Sequence, residues 1–360
     1  MPKIRVLVVE DSLTVRKRLV EVIDSDAELE VVGEGENGQQ AIELCLALRP
    51  DVITLDMHLP ILDGVSATEH IMGHFPTPIL IVSSSTNRGD LFKTYDALAA
   101  GAVDVLEKPL ADAVDGAWER RFLAAIKLVS RIRVITHIRA RLGSVGRAPA
   151  PRVERPMPTT PLPAARNGDG YSVIALGAST GGPGALVEVL RGIPLGLPAT
   201  MLVVLHIDEP FSSAFADWLS NQTSHPVSYA RGGELLLDGR GRVFMAPPGR
   251  HLAASSGKLW LSSAPERHSC RPSVDVMFET LALDCPRDVV ACLLTGMGKD
   301  GADGLLALRR AGAHTIAQDE ATSVIYGMPR EAALLGAAER ILPLGEIGAA
   351  ITRVAAKGGK

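Results

Sequence analysis

Between Gly143 and Gly170 the prolines Pro149, Pro151, Pro156, Pro158, Pro161 and Pro163 stand among small and polar residues with almost no apolar periodicity. Proline lacks an N–H and fixes φ, so neither a helix nor a central strand runs through such a stretch. The chain must therefore fold as bodies on either side of a linker. Its 360 residues agree, since a domain usually holds about 150. A hydrophobic content of 46% supplies large cores and rules out disorder throughout. With 37 basic against 41 acidic residues there is no surplus positive charge for phosphates, so nucleic-acid binding has no electrostatic support. The opening run from Pro2 meets Glu10 before a signal peptide's apolar region forms, and no apolar run reaches ~18 residues. A cytoplasmic protein with no membrane insertion is expected. Cys45, Cys270, Cys285 and Cys292 contain no C-x-x-C spacing and read as packed thiols in a reducing compartment rather than as zinc ligands or disulfides.

On both sides of the linker, strand-like apolar runs alternate with helical patterns, the signature of parallel βαβ units. In the first region the runs are 4–9, 31–33, 52–55, 79–82 and 103–106, with amphipathic segments at 14–23 and 39–48 and a weaker one after Gly64. Apolar residues at helical spacing then continue from Ala117 to Leu142 and predict a long helix leading out. In the second region the clearest strands are 173–176, 201–205, 242–246, 289–294 and 315–318. Two α/β domains follow.

Functional residues of open parallel sheets gather where loops leave the carboxyl ends of strands. Glu10 and Asp11 follow the first run, Asp56 the third, Ser83 ends the fourth, and Lys108 follows the fifth. Any one acid reads as a helix cap, and Asp11-Ser12 is a plausible one. Five polar groups at one edge do not. Three close carboxylates repel one another unless a cation sits among them, and Mg2+ suits an all-oxygen site. Lys108 can neutralise an incoming phosphoryl oxygen and Ser83 can donate to another, which leaves Asp56 as the phosphoacceptor.

The stretches Val8-Val9-Glu10-Asp11-Ser12, Asp51 to Asp56, Asp63-Gly64, Val82-Ser83-Ser84 and Glu107-Lys108-Pro109 resemble the motifs of two-component receiver domains. The resemblance implies a flavodoxin-like (βα)5 fold over residues 1–125. It also implies Mg2+ held by Asp11, Asp56 and the carbonyl of His58, with Glu10 acting on the ion through water. Glu10 stands where aspartate is more usual, which leaves the charge count intact.

In the second region Gly177-Ala178-Ser179-Thr180-Gly181-Gly182 follows a strand and precedes Pro183, a favoured first helical residue. Neither a dinucleotide loop nor a P-loop pattern closes there. The G-x-S-x-G reading does, with Ser179 on the turn and the Thr180 amide facing a developing oxyanion. A serine hydroxyl needs a base, and the base a partner that holds its tautomer. His206 ends the apolar run 201–205, and Asp300 lies in the glycine-rich turn after 289–294. Taken singly these are a structural histidine and a turn residue; three such groups at strand ends point to one rim. Trp218 and Trp260 read as core.

These residues, with Arg271 to Phe278, Leu294 to Gly301, Ala311-Gly312-Ala313, Ala317 to Glu320 and Tyr326 to Pro329, are similar to the catalytic domain of chemotaxis protein-glutamate methylesterases. The resemblance implies a doubly wound, mostly parallel α/β domain over 171–360, joined to the receiver by a helix and linker over 126–170. It implies a triad of Ser179, His206 and Asp300, oxyanion contributors Thr180 and Met297, and no cofactor in the esterase site. It further implies hydrolysis of receptor glutamate methyl esters, with glutamine deamidation as a related activity. Activation by a chemotaxis histidine kinase through Asp56 and gating by the receiver complete the picture, with methyl-accepting receptors as substrate. The alternatives are a non-catalytic protein-binding output domain, in which Ser179 merely caps a helix, and a nucleotide-dependent oxidoreductase, for which no fingerprint exists. A DNA-binding output lacks a basic recognition helix.

Overall fold

The computed structural model describes residues 2–84, 87–108, 116–132, 134 and 172–355. The proline-rich stretch and the pattern beyond Val134 lie outside the described residues, but the long helix expected from Ala117 to Leu142 already ends at Val129, where Ser130 caps it and a turn follows. The first unit alternates β1 (Ile4–Val9), α1 (Leu13–Asp24), β2 (Leu29–Gly35), α2 (Gly38–Leu48), β3 (Val52–Leu55), α3 (Gly64–His74), β4 (Ile79–Ser83), α4 (Arg88–Ala99), β5 (Asp104–Glu107) and α5 (Ala117–Val129). Its five strands are parallel in the order β2-β1-β3-β4-β5. The Val- and Ile-rich strands are buried on both faces, as a parallel sheet covered by helices requires. Asn37, Asp63 and Asn87 start α2, α3 and α4 by accepting from backbone N–H groups in the first turn. Helix α5 presents Phe122, Ile126 and Val129 to the same core as Val6, Val8 and Leu80.

The second unit contains β6 (Ser172–Ala178), α6 (Gly182–Arg191), β7 (Ala199–Leu205), α7 (Phe215–Thr223), β8 (Val227–Tyr229), β9 (Val243–Met245), β10 (His251–Ser255), β11 (Lys258–Ser262), α8 (Val274–Asp284), β12 (Val289–Leu293), α9 (Ala302–Ala311), β13 (His314–Gln318), α10 (Met328–Leu334), β14 (Arg340–Leu342) and α11 (Leu344–Ala355). Seven parallel strands run in the order β14-β13-β12-β6-β7-β9-β8. The chain leaves β6 for β7 on one side and later reaches β12 on the other, so the carboxyl end of β6 lies beside the crevice where the winding reverses. Strands β10 and β11 form a separate antiparallel hairpin. On it Leu259 is buried while its neighbour Trp260 is 53% exposed, which corrects the core expectation for Trp260. Alternation along a strand sends successive side chains to opposite faces, and here the second face meets solvent. Trp218, by contrast, is buried.

The two units meet. Tyr95 on α4 is fully buried against Phe215 and Trp218 of α7, at centroid distances of 5.2 and 5.5 Å, and its hydroxyl donates to the Phe211 carbonyl at 2.6 Å. The Trp218 indole N–H donates to Asp96 at 2.8 Å, and Gln222 donates to the same carboxylate at 3.1 Å. Arg88 pairs with Asp217 at 3.0 Å and Arg121 with Asp208 at 2.6 Å, both solvent-exposed and so weak. At Gly184 α6 meets α4: a Cβ there would stand 3.4 Å from the Ala99 carbonyl, in ordinary van der Waals contact.

Candidate active site

Ser179, His206 and Thr295 each follow a central strand, β6, β7 and β12, and β6 lies between the other two. The turn carrying Ser179 is held by its own N–H donating to the Thr295 carbonyl at 3.0 Å and by Gly182 N–H donating to the Ser179 carbonyl at 2.7 Å. Thr295 Oγ1 donates to the Thr180 carbonyl at 3.0 Å and accepts from Ile325 N–H at 2.9 Å. Two glycines are required here. Gly181 has φ +76°, and any Cβ on it would strike Val324 at 2.6 Å. A Cβ on Gly296 would stand 2.7 Å from the Ser179 Cβ and 2.3 Å from the Met328 sulfur, so the loop bearing Met297 runs directly against the serine.

Nε2 of His206 lies 2.9 Å from Oδ2 of Asp300. A carboxylate accepts, so in the neutral ring Nε2 carries the proton and Nδ1 presents its lone pair. Asp300 is buried yet well served: Ser273 Oγ donates at 2.7 Å, Val274 N–H at 2.6 Å and Asp275 N–H at 3.2 Å. Burial pushes this carboxyl up, but the His206 and Ser273 hydrogen bonds outweigh it and hold it below the ordinary carboxylate range. For His206 burial pulls downward, and the ring's hydrogen bonds to Asp300 and Cys270 reverse it, to about 9. Ser273 and Cys270 were not singled out in the sequence. Ser273 lies at the N-cap of α8, where such a residue reads as ordinary capping. Cys270, read above as a packed thiol, instead stands half-buried with Sγ 3.8 Å from His206 Nδ1.

Ser179, Thr180, His206, Cys270 and Arg271 line a cavity of about 670 Å3, and Asp104 and Arg121 of the first unit line it from across the contact. Among the described residues, no hydrogen bond joins the Ser179 hydroxyl to His206, and the N–H groups of Thr180 and Met297 donate to no protein acceptor. Met297 is half exposed, next to Gly296, which packs against the serine. The arrangement supplies a hydroxyl, an imidazole whose neutral form bears a lone pair and the unspent Thr180 N–H on one cavity, the parts that acyl transfer needs.

At the other sheet edge, Lys108 Nζ lies 2.8 Å from Glu10 and 2.9 Å from Asp56, both buried. Carboxylate oxygens of Glu10, Asp11 and Asp56 lie within 4.8 Å of one another. Burial, with the nearby Asp56 charge, pushes Glu10 up to about 7 despite Lys108. One lysine against three carboxylates leaves negative charge to be met, and the all-oxygen donor set fits a hard dication. Asp56 also accepts from Met57 N–H at 2.7 Å, and Ser83 is buried at the end of β4. The His58 side chain turns away to Asp90 on α4, at 2.6 Å.

The sequence matches the CheB methylesterase family over residues 174–351 and the response regulator receiver domain family over residues 6–114. It is 41% identical to a protein-glutamate methylesterase/protein-glutamine glutaminase of Nitrosospira multiformis, over 99% of this chain and 98% of that one. It is 43% identical to another of that name from Pseudomonas aeruginosa, over 99% and 98%. Among solved structures, the CheB methylesterase catalytic domain of Thermotoga maritima is 31% identical, with a TM-score of 0.49, covering 51% of this chain and 98% of that one.

Proposed function

Because the chain belongs to the receiver-linked protein-glutamate methylesterase/protein-glutamine glutaminase family, we propose that it hydrolyses glutamate methyl esters on the cytoplasmic helices of chemoreceptors by serine acyl transfer, under control of Asp56. The observation that carries this reading is the single cavity lined by Ser179 and His206, with His206 braced from behind by Asp300.

Ser179 Oγ attacks the ester carbonyl carbon as its proton passes to Nδ1 of His206. The carbonyl oxygen becomes an oxyanion held by the Thr180 and Met297 N–H groups. Losing one such donor typically costs about 100-fold or more. His206 returns the proton to the departing methoxide, and methanol leaves an acyl-Ser179. A water then gives its proton to His206 and attacks the acyl carbon; Ser179 regains the proton and the free carboxylate departs. A glutamine side chain enters the same acyl-enzyme with ammonia as leaving group, so one site serves both activities.

In the receiver, Asp56 takes a phosphoryl group from a histidine kinase of the chemotaxis class. Glu10, Asp11, Asp56 and the His58 carbonyl are the groups that would hold Mg2+, which when bound offsets the charge of the phosphoryl oxygens. Lys108, now shared by Glu10 and Asp56, pairs with the phosphoryl group, and Ser83 donates to it. The contact of α4 with α6 and α7 limits access to the cavity, and phosphorylation shifts the population toward an open arrangement. Among the described residues no helix is long and apolar enough to cross a membrane, in keeping with a cytoplasmic enzyme.

The test is methanol release from methylated receptor with and without acetyl phosphate. Ser179→Ala should abolish release and fluorophosphonate labelling while leaving the fold intact. Labelling of an unrelated serine, with release undiminished in Ser179→Ala, would sink the proposal.

A further inference from the structure

Three sets of candidate metal ligands occur among the described residues: the receiver acids, His268 with Asp275 and Asp303, and His206 with Cys270 and Asp300. The second set is compromised, because Arg267 Nε already lies 3.6 Å from the Asp275 carboxylate. The third has no such competitor and contains the chain's half-buried thiol; Cys45, Cys285 and Cys292 are buried.

We propose that Cys270 Sγ and His206 Nδ1 form a binding site for a thiophilic divalent cation of the zinc class, and that filling it silences the serine chemistry. With metal–sulfur and metal–nitrogen distances of about 2.3 and 2.0–2.1 Å at a tetrahedral angle, the two ligand atoms should stand roughly 3.6 Å apart. They stand 3.8 Å apart here. A metal-ligating histidine usually donates its other ring N–H to a carboxylate, which fixes the tautomer and raises the basicity of the ligating nitrogen. Asp300 already does this at 2.9 Å. The thiol is little used otherwise, its other contact being a weak hydrogen bond to the His268 carbonyl at 3.4 Å. Its position is fixed by paired backbone hydrogen bonds between Arg267 and Cys270, at 3.1 and 2.9 Å. The cavity leaves room for water in the remaining coordination positions.

On binding, the Cys270 S–H bond is replaced by a sulfur–metal bond and the proton goes to solvent. The Nδ1 lone pair that would take the Ser179 proton then belongs to the metal. Sulfur and imidazole select a borderline-soft ion, whereas the Glu10, Asp11 and Asp56 oxygens select a hard one, so one chain separates an activating from an inhibitory cation by donor type. The inhibitory half rests on the esterase reading; the binding half does not.

The experiment uses the full chain, reduced and chelator-treated, titrated with Co2+ as spectroscopic probe and with Zn2+ for function. One equivalent of Co2+ should produce a cobalt–thiolate charge-transfer band. Zn2+ should protect Cys270 from maleimide labelling and stop methanol release, reversibly by EDTA. Cys270→Ser should bind at least about tenfold more weakly, with Zn2+ inhibition compared against that variant's own metal-free rate. Ser179→Ala should keep the cobalt band, so binding is read even if the esterase assignment fails. Absence of the thiolate band, or an identical band in Cys270→Ser, overturns the site; a filled site with undiminished methanol release overturns the inhibition.

Discussion

The indole N–H of Trp218 donates to the Asp96 carboxylate across the boundary between the two units, 2.8 Å away and next to the buried Tyr95. This places a hydrogen bond and an aromatic cluster on the one receiver helix that also carries Asp90, the partner of His58 two residues from Asp56. Loss of the Tyr95 hydroxyl removes the bond to the Phe211 carbonyl, worth about 1 kcal/mol, or roughly a fivefold shift in a two-state population. Tyr95→Phe should therefore raise unphosphorylated methanol release several-fold, and Asp96→Ala, which removes the acceptor of two bonds, should raise it further. Unchanged basal rates in both variants, with phosphorylated rates also unchanged, would rule out gating through this contact.

Ser273 donates to the carboxylate that orients His206, and it also caps α8. Ser273→Ala should lower kcat by about tenfold, from a lost hydrogen bond of about 1.5 kcal/mol to a charged, buried carboxylate, with little change in KM. Asp300→Asn should cost far more, ~10,000-fold in kcat, because an amide no longer selects the tautomer. Steady-state kinetics on the two variants separate the cases: equal losses would mean that Ser273 and Asp300 act as one unit.

His206 must be neutral to accept the serine proton, and the nearby Asp300 and Cys270 hold it charged up to about 9. Activity should thus climb with pH through a limb that lies above the ordinary histidine value of 6.5. Cys270→Ala removes one of the two groups favouring the charged ring, so the limb should move toward lower pH. A limb unmoved by this change would mean that Cys270 has no electrostatic hold on the base.

Gly296→Val inserts side-chain atoms against the Ser179 Cβ and the Met328 sulfur. The overpacking should cost about 1–3 kcal/mol in stability, visible as a lower Tm. Displacement of the serine turn should cut methanol release by more than the Tm change explains. Gly345→Val, at a glycine with open space around its Cβ, is the control and should leave release unaffected.

Much of this architecture was legible in residue order because parallel strands buried on both faces read as continuous apolar runs, and loops at their carboxyl ends gather the polar groups. Short edge strands were not: β8 and β14 have three residues each, too few to show a period. Strand β2 extends from Leu29 to Gly35, beyond the run at 31–33, because Glu30 and Glu34 alternate outward from it. At the site, Ser179, His206 and Asp300 could be named from strand ends, but Cys270 and Ser273 could not. They reach His206 and Asp300 from a segment far away in the chain, and only the packing of α8 under the rim brings them there. Trp260 misled for the converse reason, since an aromatic residue in a strand carries no mark of which face is covered.

The aromatic seam of Tyr95, Phe215 and Trp218 implies a thermal signature. Parting the two units wets that apolar surface, so the step carries a positive heat-capacity change. The attraction holding the seam together weakens on cooling. Under the proposed gating, a chilled, unphosphorylated enzyme would then be less tightly restrained than a warm one, and the proposed brake would double as a crude thermometer.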